Sequence, residues 1–255
     1  MSALLNYKQE GQGQTVVLIH GLFGSFSNLG LLAPDLVQDH SVISIDLRNH
    51  GLSFHSDTHN YEVMAQDVAD LLHHLNIEPA LVIGHSMGGK VAMKLADVSP
   101  EFVKQLIVLD MAPVAYQTNR HDNVFNGFRA VIEEQPANRQ QTMDILAQHI
   151  EMDGVRQFLS KSLYKNGNKM DWRFNVTGLL NNYDNIIGWN DIAPTDIPTL
   201  FVKGGDSDYL IPEHQPAVKR QFNNAKAHII ANTGHWLHAE KPAEVMRVIR
   251  KYISS

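Results

Sequence analysis

A chain of 255 residues with 21 basic and 27 acidic side chains carries a formal charge of −6. That length suits one domain, or one domain with an insertion, and the missing basic surplus argues against a nucleic-acid binder. There is no cysteine, which removes disulfides, thiolate metal sites and a thiol nucleophile, and the 44% apolar fraction argues against wholesale disorder.

From the N-terminus, MSALLNYKQEG is short and polar and gives no sign of a secretory leader. No run approaches the roughly 18–20 apolar residues that cross a bilayer, so the expectation is a cytoplasmic protein without membrane insertion. Thr15–Ile19 (TVVLI) and Ser41–Ile45 (SVISI) lack polar alternation, the pattern of strands covered on both faces. Tyr61–Leu75 then repeats at helical period, with Val63, Ala65, Val68, Leu71, Leu72 and Leu75 on one stripe. Strand, helix and strand follow at Ala80–Gly84 (ALVIG), Gly88–Val98 and Gln105–Leu109 (QLIVL). Beyond a break, strands at Thr199–Val202 (TLFV) and Ala227–Ala231 (AHIIA) alternate with helical patterns at Glu213–Phe222 and Pro242–Ile253. The last of these opens on a first-turn proline. Strand alternating with helix predicts an α/β fold on a mostly parallel, doubly wound sheet.

The break covers residues 114–193, a stretch rich in Asn and Gln with helical patches at Thr142–Ile150 and Gly154–Leu163. A structureless loop of roughly 80 residues is implausible inside a compact domain. The expectation is therefore a core of residues 1–113 and 194–255 with a mostly helical insertion at 114–193. Phe125, Phe128, Phe158, Leu159, Trp172, Phe174 and Trp189 are expected mainly to pack inside that insertion, with pocket wall as the other option. Arg120 and Arg173 are read as surface ion pairs, or as contacts for an anionic leaving group.

Polar or glycine clusters follow almost every strand, as at His20-Gly21, Asp46-Leu47-Arg48, His85-Ser86, Asp110, Gly205-Asp206-Ser207-Asp208 and Gly234-His235. In open parallel sheets such groups converge on one edge, where ligands bind. The strongest signal is Gly84-His85-Ser86-Met87-Gly88, set between a strand and a helix. A serine held there at strained backbone angles projects its hydroxyl clear of the sheet, which requires small residues two positions away on each side. A hydroxyl needs a base to become a nucleophile, and His235, just after the last strand, is the best placed. His20, His50 and His85 flank glycines and are expected to fix loops; His238 is expected to be structural, and His73 and His74 half-exposed on a helix. The base needs a carboxylate, and Asp110, Asp208 and Asp206 all follow suitable strands. The amide of Met87, and that of Leu22 or of Phe23 in the loop after the first strand, are candidate donors to an oxyanion. Asp46 and Arg48 are expected to brace loops beneath the site. The histidines show no metal-ligand spacing, and this chemistry needs no cofactor.

Together, HGLFGS, DLRNHGLS, GHSMGGK, LDMAP, DWRFN and GHWLHAEKP resemble the α/β-hydrolase superfamily and, within it, the YbfF-type bacterial esterases. The animal mitochondrial hydrolases of that branch are more distantly similar. The likeness runs from about Val16 to the C-terminus. It implies an α/β-hydrolase fold with an inserted helical cap, and a serine esterase of short- to medium-chain acyl esters or thioesters. It implies the nucleophile and base roles for Ser86 and His235. It also ranks Asp110 first among the acids, because relatives often lack an acid at the positions of Asp206 and Asp208. The partner implied is a small-molecule ester or thioester, with the chain a monomer or homodimer. Carbon–carbon bond hydrolysis, lactone cleavage, perhydrolysis and a catalytically silent binding module remain the alternatives.

Overall fold

Val- and Ile-rich runs form the middle of a sheet because β-branched side chains suit a pleated surface buried on both sides. The computed structural model describes residues 3–254. Its first half runs β1 (Tyr7–Glu10), β2 (Gln14–Ile19), α1 (Ala33–Leu36), β3 (His40–Ile45), α2 (Tyr61–His74), β4 (Ala80–His85), α3 (Met87–Val98) and β5 (Val103–Leu109). Five helices and a hairpin follow: α4 (Asp122–Glu134), α5 (Arg139–Ala147), α6 (Asp153–Ser160), β6 (Leu163–Asn166), β7 (Lys169–Trp172), α7 (Val176–Asn181) and α8 (Tyr183–Ile187). The chain then returns to the sheet with β8 (Thr199–Gly204), α9 (Gln215–Gln221), β9 (Ala225–Ile230), α10 (Leu237–Glu240) and α11 (Pro242–Ile253).

The seven-stranded sheet has the order β1-β3-β2-β4-β5-β8-β9. Every neighbouring pair is parallel except β1–β3. This is the α/β-hydrolase fold class that the sequence predicts. Alternate residues serve opposite faces: Val17 and Ile19 of β2 pack with α2 and α3, whereas Val16 and Leu18 pack with α1 and α11. α2 starts on an Asn60 side chain that accepts from the Val63 amide, and its buried face includes Tyr61 and Met64 beside the expected Ala65, Val68, Leu71 and Leu72.

Several elements differ from expectation. β1 is exposed along its length, so no apolar pattern marks it. The short β6–β7 hairpin, of mixed polar and apolar residues, turns at Gly167, whose φ of 61° suits glycine. β9 begins at Ala225 and ends at Ile230, and as an edge strand it is exposed through its middle. The expected helix at Glu213–Phe222 splits into a 3₁₀ turn at Pro212–His214 and α9.

Ile83 of β4 is fully buried against α1 and α11. Ile83→Ala is expected to lower unfolding stability by about 2–5 kcal/mol, since it removes apolar contact and leaves a cavity in a central strand. Chemical denaturation of the two proteins checks this.

Candidate active site

Ser86 joins β4 to α3 with φ 54° and ψ −123°. Positive φ strains a residue that carries a Cβ, and it persists only where the surroundings impose it. Here they do. A Cβ on Gly84 would lie 2.2 Å from the Gly88 carbonyl oxygen. One on Gly88 would lie 2.4 Å from the carbonyl oxygens of Ile19 and His20. The Ser86 amide donates to Leu109 O of β5 at 3.1 Å, which fixes the turn against the neighbouring strand.

His235 lies in the loop after β9. That loop is drawn onto the end of β8, where a Cβ on Gly204 would lie 2.1 Å from the Gly234 carbonyl oxygen. The Gly234 amide donates to Glu240 at 2.9 Å, and His85 Nε2 donates to the His235 carbonyl at 2.8 Å. In this setting His235 Nε2 is 2.8 Å from Ser86 Oγ, and Nδ1 is 2.7 Å from Asp110 Oδ2. A proton on Nδ1 directed at the carboxylate leaves Nε2 to accept from the serine hydroxyl. Asp110 is fully buried, has φ 51°, and also accepts from the Gly204 amide at 2.9 Å and from the Ser207 hydroxyl. The Tyr209 ring stacks on His235 with centroids 3.8 Å apart and 19° between planes.

The other acids point elsewhere. Asp208 pairs with Arg120 at 2.6 Å, and Asp206 is exposed. Leu22 and Met87 are buried and line a pocket with Ser86. The Phe23 amide donates to His50 Nε2 at 3.1 Å and is therefore engaged.

The family model for the alpha/beta hydrolase fold matches residues 14–242. This chain belongs to the α/β-hydrolase family. Esterase YbfF of Escherichia coli K12 is 46% identical over 239 residues, 94% of this chain and 92% of that protein. The sn-1-specific diacylglycerol lipase ABHD11 of Mus musculus is 36% identical over 247 residues, 94% of this chain and 80% of that one. Among solved structures, a marine microorganism esterase superposes with a TM-score of 0.95 at 33% identity, covering 98% of this chain and 100% of its own.

Buried histidines brace this α/β-hydrolase site. His20 Nδ1 donates to Gly21 O at 2.7 Å and its Nε2 accepts from the Leu47 amide at 3.1 Å. His50 Nδ1 donates to Arg48 O at 2.9 Å. Burial lowers the pKa of both rings, and His238, its ring tilted against that of His85 with centroids 4.3 Å apart, is lowered to about 3. Asp46 accepts from the amides of Phe26 (2.6 Å) and Leu52 (2.9 Å), while Arg48 forms a two-point pair with Asp67.

The pocket beside Ser86 is narrow, about 30 Å³. Its walls include Tyr61, Tyr116, Tyr183, Tyr209, Ile186 and Ile187 rather than the aromatic residues singled out from the sequence. Phe125, Phe128, Trp172 and Phe174 instead pack around Phe23 and one another with centroids 4.9–6.1 Å apart. Arg120 does reach the pocket, its Cζ 4.4 Å from the Tyr209 ring centre, whereas Arg173 is exposed against Tyr164. Sequence reasoning gave no role to Ser207, Tyr209 or Lys90. Ser207 and Tyr209 stand in or beside the acidic Gly205–Asp208 cluster, whose carboxylates drew the attention. Lys90 reads as an ordinary helix lysine.

Lys90 is fully buried. Its ammonium donates to Gly188 O at 2.9 Å and Ile187 O at 3.3 Å, and lies 4.7 Å from the Tyr116 ring centre. Burial lowers its pKa to about 7. Below that pH both folded and unfolded chains carry the charge, and the cost of burying it is fully present. Between about 7 and the ordinary 10.5 the unfolded chain binds a proton that the native chain lacks, so this contribution to stability improves as pH rises. Lys90→Met is expected to flatten that part of the melting-temperature profile without lowering it below pH 7. Thermal melts from about pH 6 to 10 compare the two proteins.

Proposed function

We propose that this chain is a serine hydrolase of short- to medium-chain acyl esters or thioesters. The observation that carries the reading is the run of two contacts, 2.8 Å from Ser86 Oγ to His235 Nε2 and 2.7 Å from His235 Nδ1 to Asp110 Oδ2. His235 takes the hydroxyl proton as Ser86 attacks the acyl carbonyl, and Asp110 stabilises the imidazolium that results. The amides of Met87 and Leu22 hold the oxyanion; the engagement of the Phe23 amide with His50 supports Leu22 over its neighbour. His235 then protonates the departing alcohol or thiol. Water enters, gives up a proton to His235 and releases the acid from Ser86. Residues 114–193 form a cap over the core of 1–113 and 194–255 and supply one wall of the pocket. Relatives named esterase and diacylglycerol lipase support the ester-cleaving reading.

Ser86→Ala is expected to keep the melting behaviour of the parent and to lose about 10⁴–10⁶ in turnover on an ester the parent cleaves. Near-normal turnover in that variant would overturn the assignment. Asp110→Asn is expected to cost far more than Asp208→Asn, because only the first removes the carboxylate at His235; equal losses would remove Asp110 from the mechanism. A panel of acyl esters and thioesters of graded length distinguishes the two bond types.

A further inference from the structure

Burying an ammonium costs free energy, and Lys90 recovers little of it through pairing: its hydrogen bonds go to two carbonyls and its charge faces the rings of Tyr61, Tyr116 and Trp189. The proposed ester chemistry does not use it. Lys90 itself lines the pocket with Ser86, and its hydrogen bonds go to one short stretch of chain. The carbonyls at the end of α8 are bonded in succession. The Tyr61 hydroxyl donates to Ile186 O at 2.6 Å, the Tyr116 amide to Ile187 O at 2.9 Å, and Lys90 to Ile187 O and Gly188 O. Lys94, one turn further along α3, donates to Asn190 O at 3.4 Å.

Two of the residues held in this way, Ile186 and Ile187, line the pocket with Ser86. Lys90 and Ser86 sit one helical turn apart at the start of α3. The extended lysine side chain therefore sets how far this apolar wall stands from the serine. The tyrosine hydroxyl and the backbone amide grip the wall from α2 and from the segment after β5, and Lys90, with Lys94 one turn beyond it, ties the same stretch to the helix that begins at the serine turn.

We propose that Lys90 is a specificity-determining residue: by tying the end of α8 to α3 it fixes Ile186 and Ile187 as the wall that limits the acyl chain accepted beside Ser86. The inference rests on the ester-hydrolase reading. A hydrophobic wall discriminates between chain lengths by about 10–200-fold, so a displaced wall changes preference on that scale.

Lys90→Met, which keeps length and apolar bulk but removes the donor, is the direct test. Two probes are read on the parent and the variant: kcat/KM for esters of graded acyl length, and the rate at which alkyl fluorophosphonates of graded length label Ser86. The variant is expected to fold and to be labelled. Its long-to-short ratio should rise at least about tenfold with both probes. A folded variant with an unchanged ratio overturns the inference. Should Lys90→Met not fold, Lys90→Leu, which also removes the donor and keeps an apolar side chain, carries the same comparison. If neither variant folds, Lys90 belongs to the folding core and the inference falls. The labelling probe keeps the two readings apart: a parent that is labelled at Ser86 yet cleaves no ester ends the ester-hydrolase reading, while the length dependence of labelling still judges Lys90.

Discussion

Backbone-to-backbone contact at the carboxyl edge of the sheet governs the site. Gly84 lies against the Gly88 carbonyl, Gly88 against those of Ile19 and His20, and Gly204 against that of Gly234. Each approach is closer than a Cβ tolerates. The first two press Ser86 into its positive-φ turn, and the third brings the loop of His235 onto the end of β8. Ser86 and His235 stand 149 positions apart in the chain, and these contacts put them within 2.8 Å of each other. The chemistry therefore depends on what three positions lack rather than on a large favourable contact.

Around that edge, burial and hydrogen bonding do complementary things. Asp110 is fully buried but accepts bonds from the Gly204 amide, the Ser207 hydroxyl and His235, so its carboxylate is satisfied as well as aimed. His20, His50 and His85 are buried with lowered pKa values, which keeps them neutral and leaves each ring one donor and one acceptor for loop amides and carbonyls. His235 differs in being partly accessible, with 17% of its side chain exposed. A site with many histidines thus separates one that meets Ser86 and Asp110 from several that hold backbone.

Much of the fold is legible because its cause is local. β2 to β5 appear as apolar runs since both faces of the sheet are covered, and α11 starts at Pro242 because proline at the first helical position loses no hydrogen bond. The glycines flanking Ser86 are legible as a motif, because the tight strand-to-helix turn needs small residues two positions away on each side, although the carbonyls that exclude a Cβ at Gly88 come from β2 and the residue after it. β1 escapes because an exposed polar edge strand has no apolar alternation. The candidate acid is legible only through the family resemblance, which ranks Asp110 first; the residues alone leave it open. Asp110 and Asp208 both follow strands, and only the third dimension reveals that Asp208 turns to Arg120. The pocket wall is least legible, because Tyr116, Tyr183, Ile186 and Ile187 lie in or beside a stretch without clear periodicity and meet Ser86 only through the sheet's topology.

The segment between β5 and β8 is fastened to the core by charged contacts of two kinds, the exposed ion pairs Arg120–Asp208 and Arg220–Asp191 and the buried Lys90. Arg120–Asp208 sits at the surface, with 72% of the aspartate side chain exposed, and works in water and among mobile ions. Lys90 holds its carbonyls with its side chain fully buried, where screening by salt is much weaker. Added electrolyte therefore slackens the first fastening and spares the second. Ionic strength thus acts selectively on this molecule, loosening the exposed pairs of the segment while the buried lysine contact at the end of α8 stays seated.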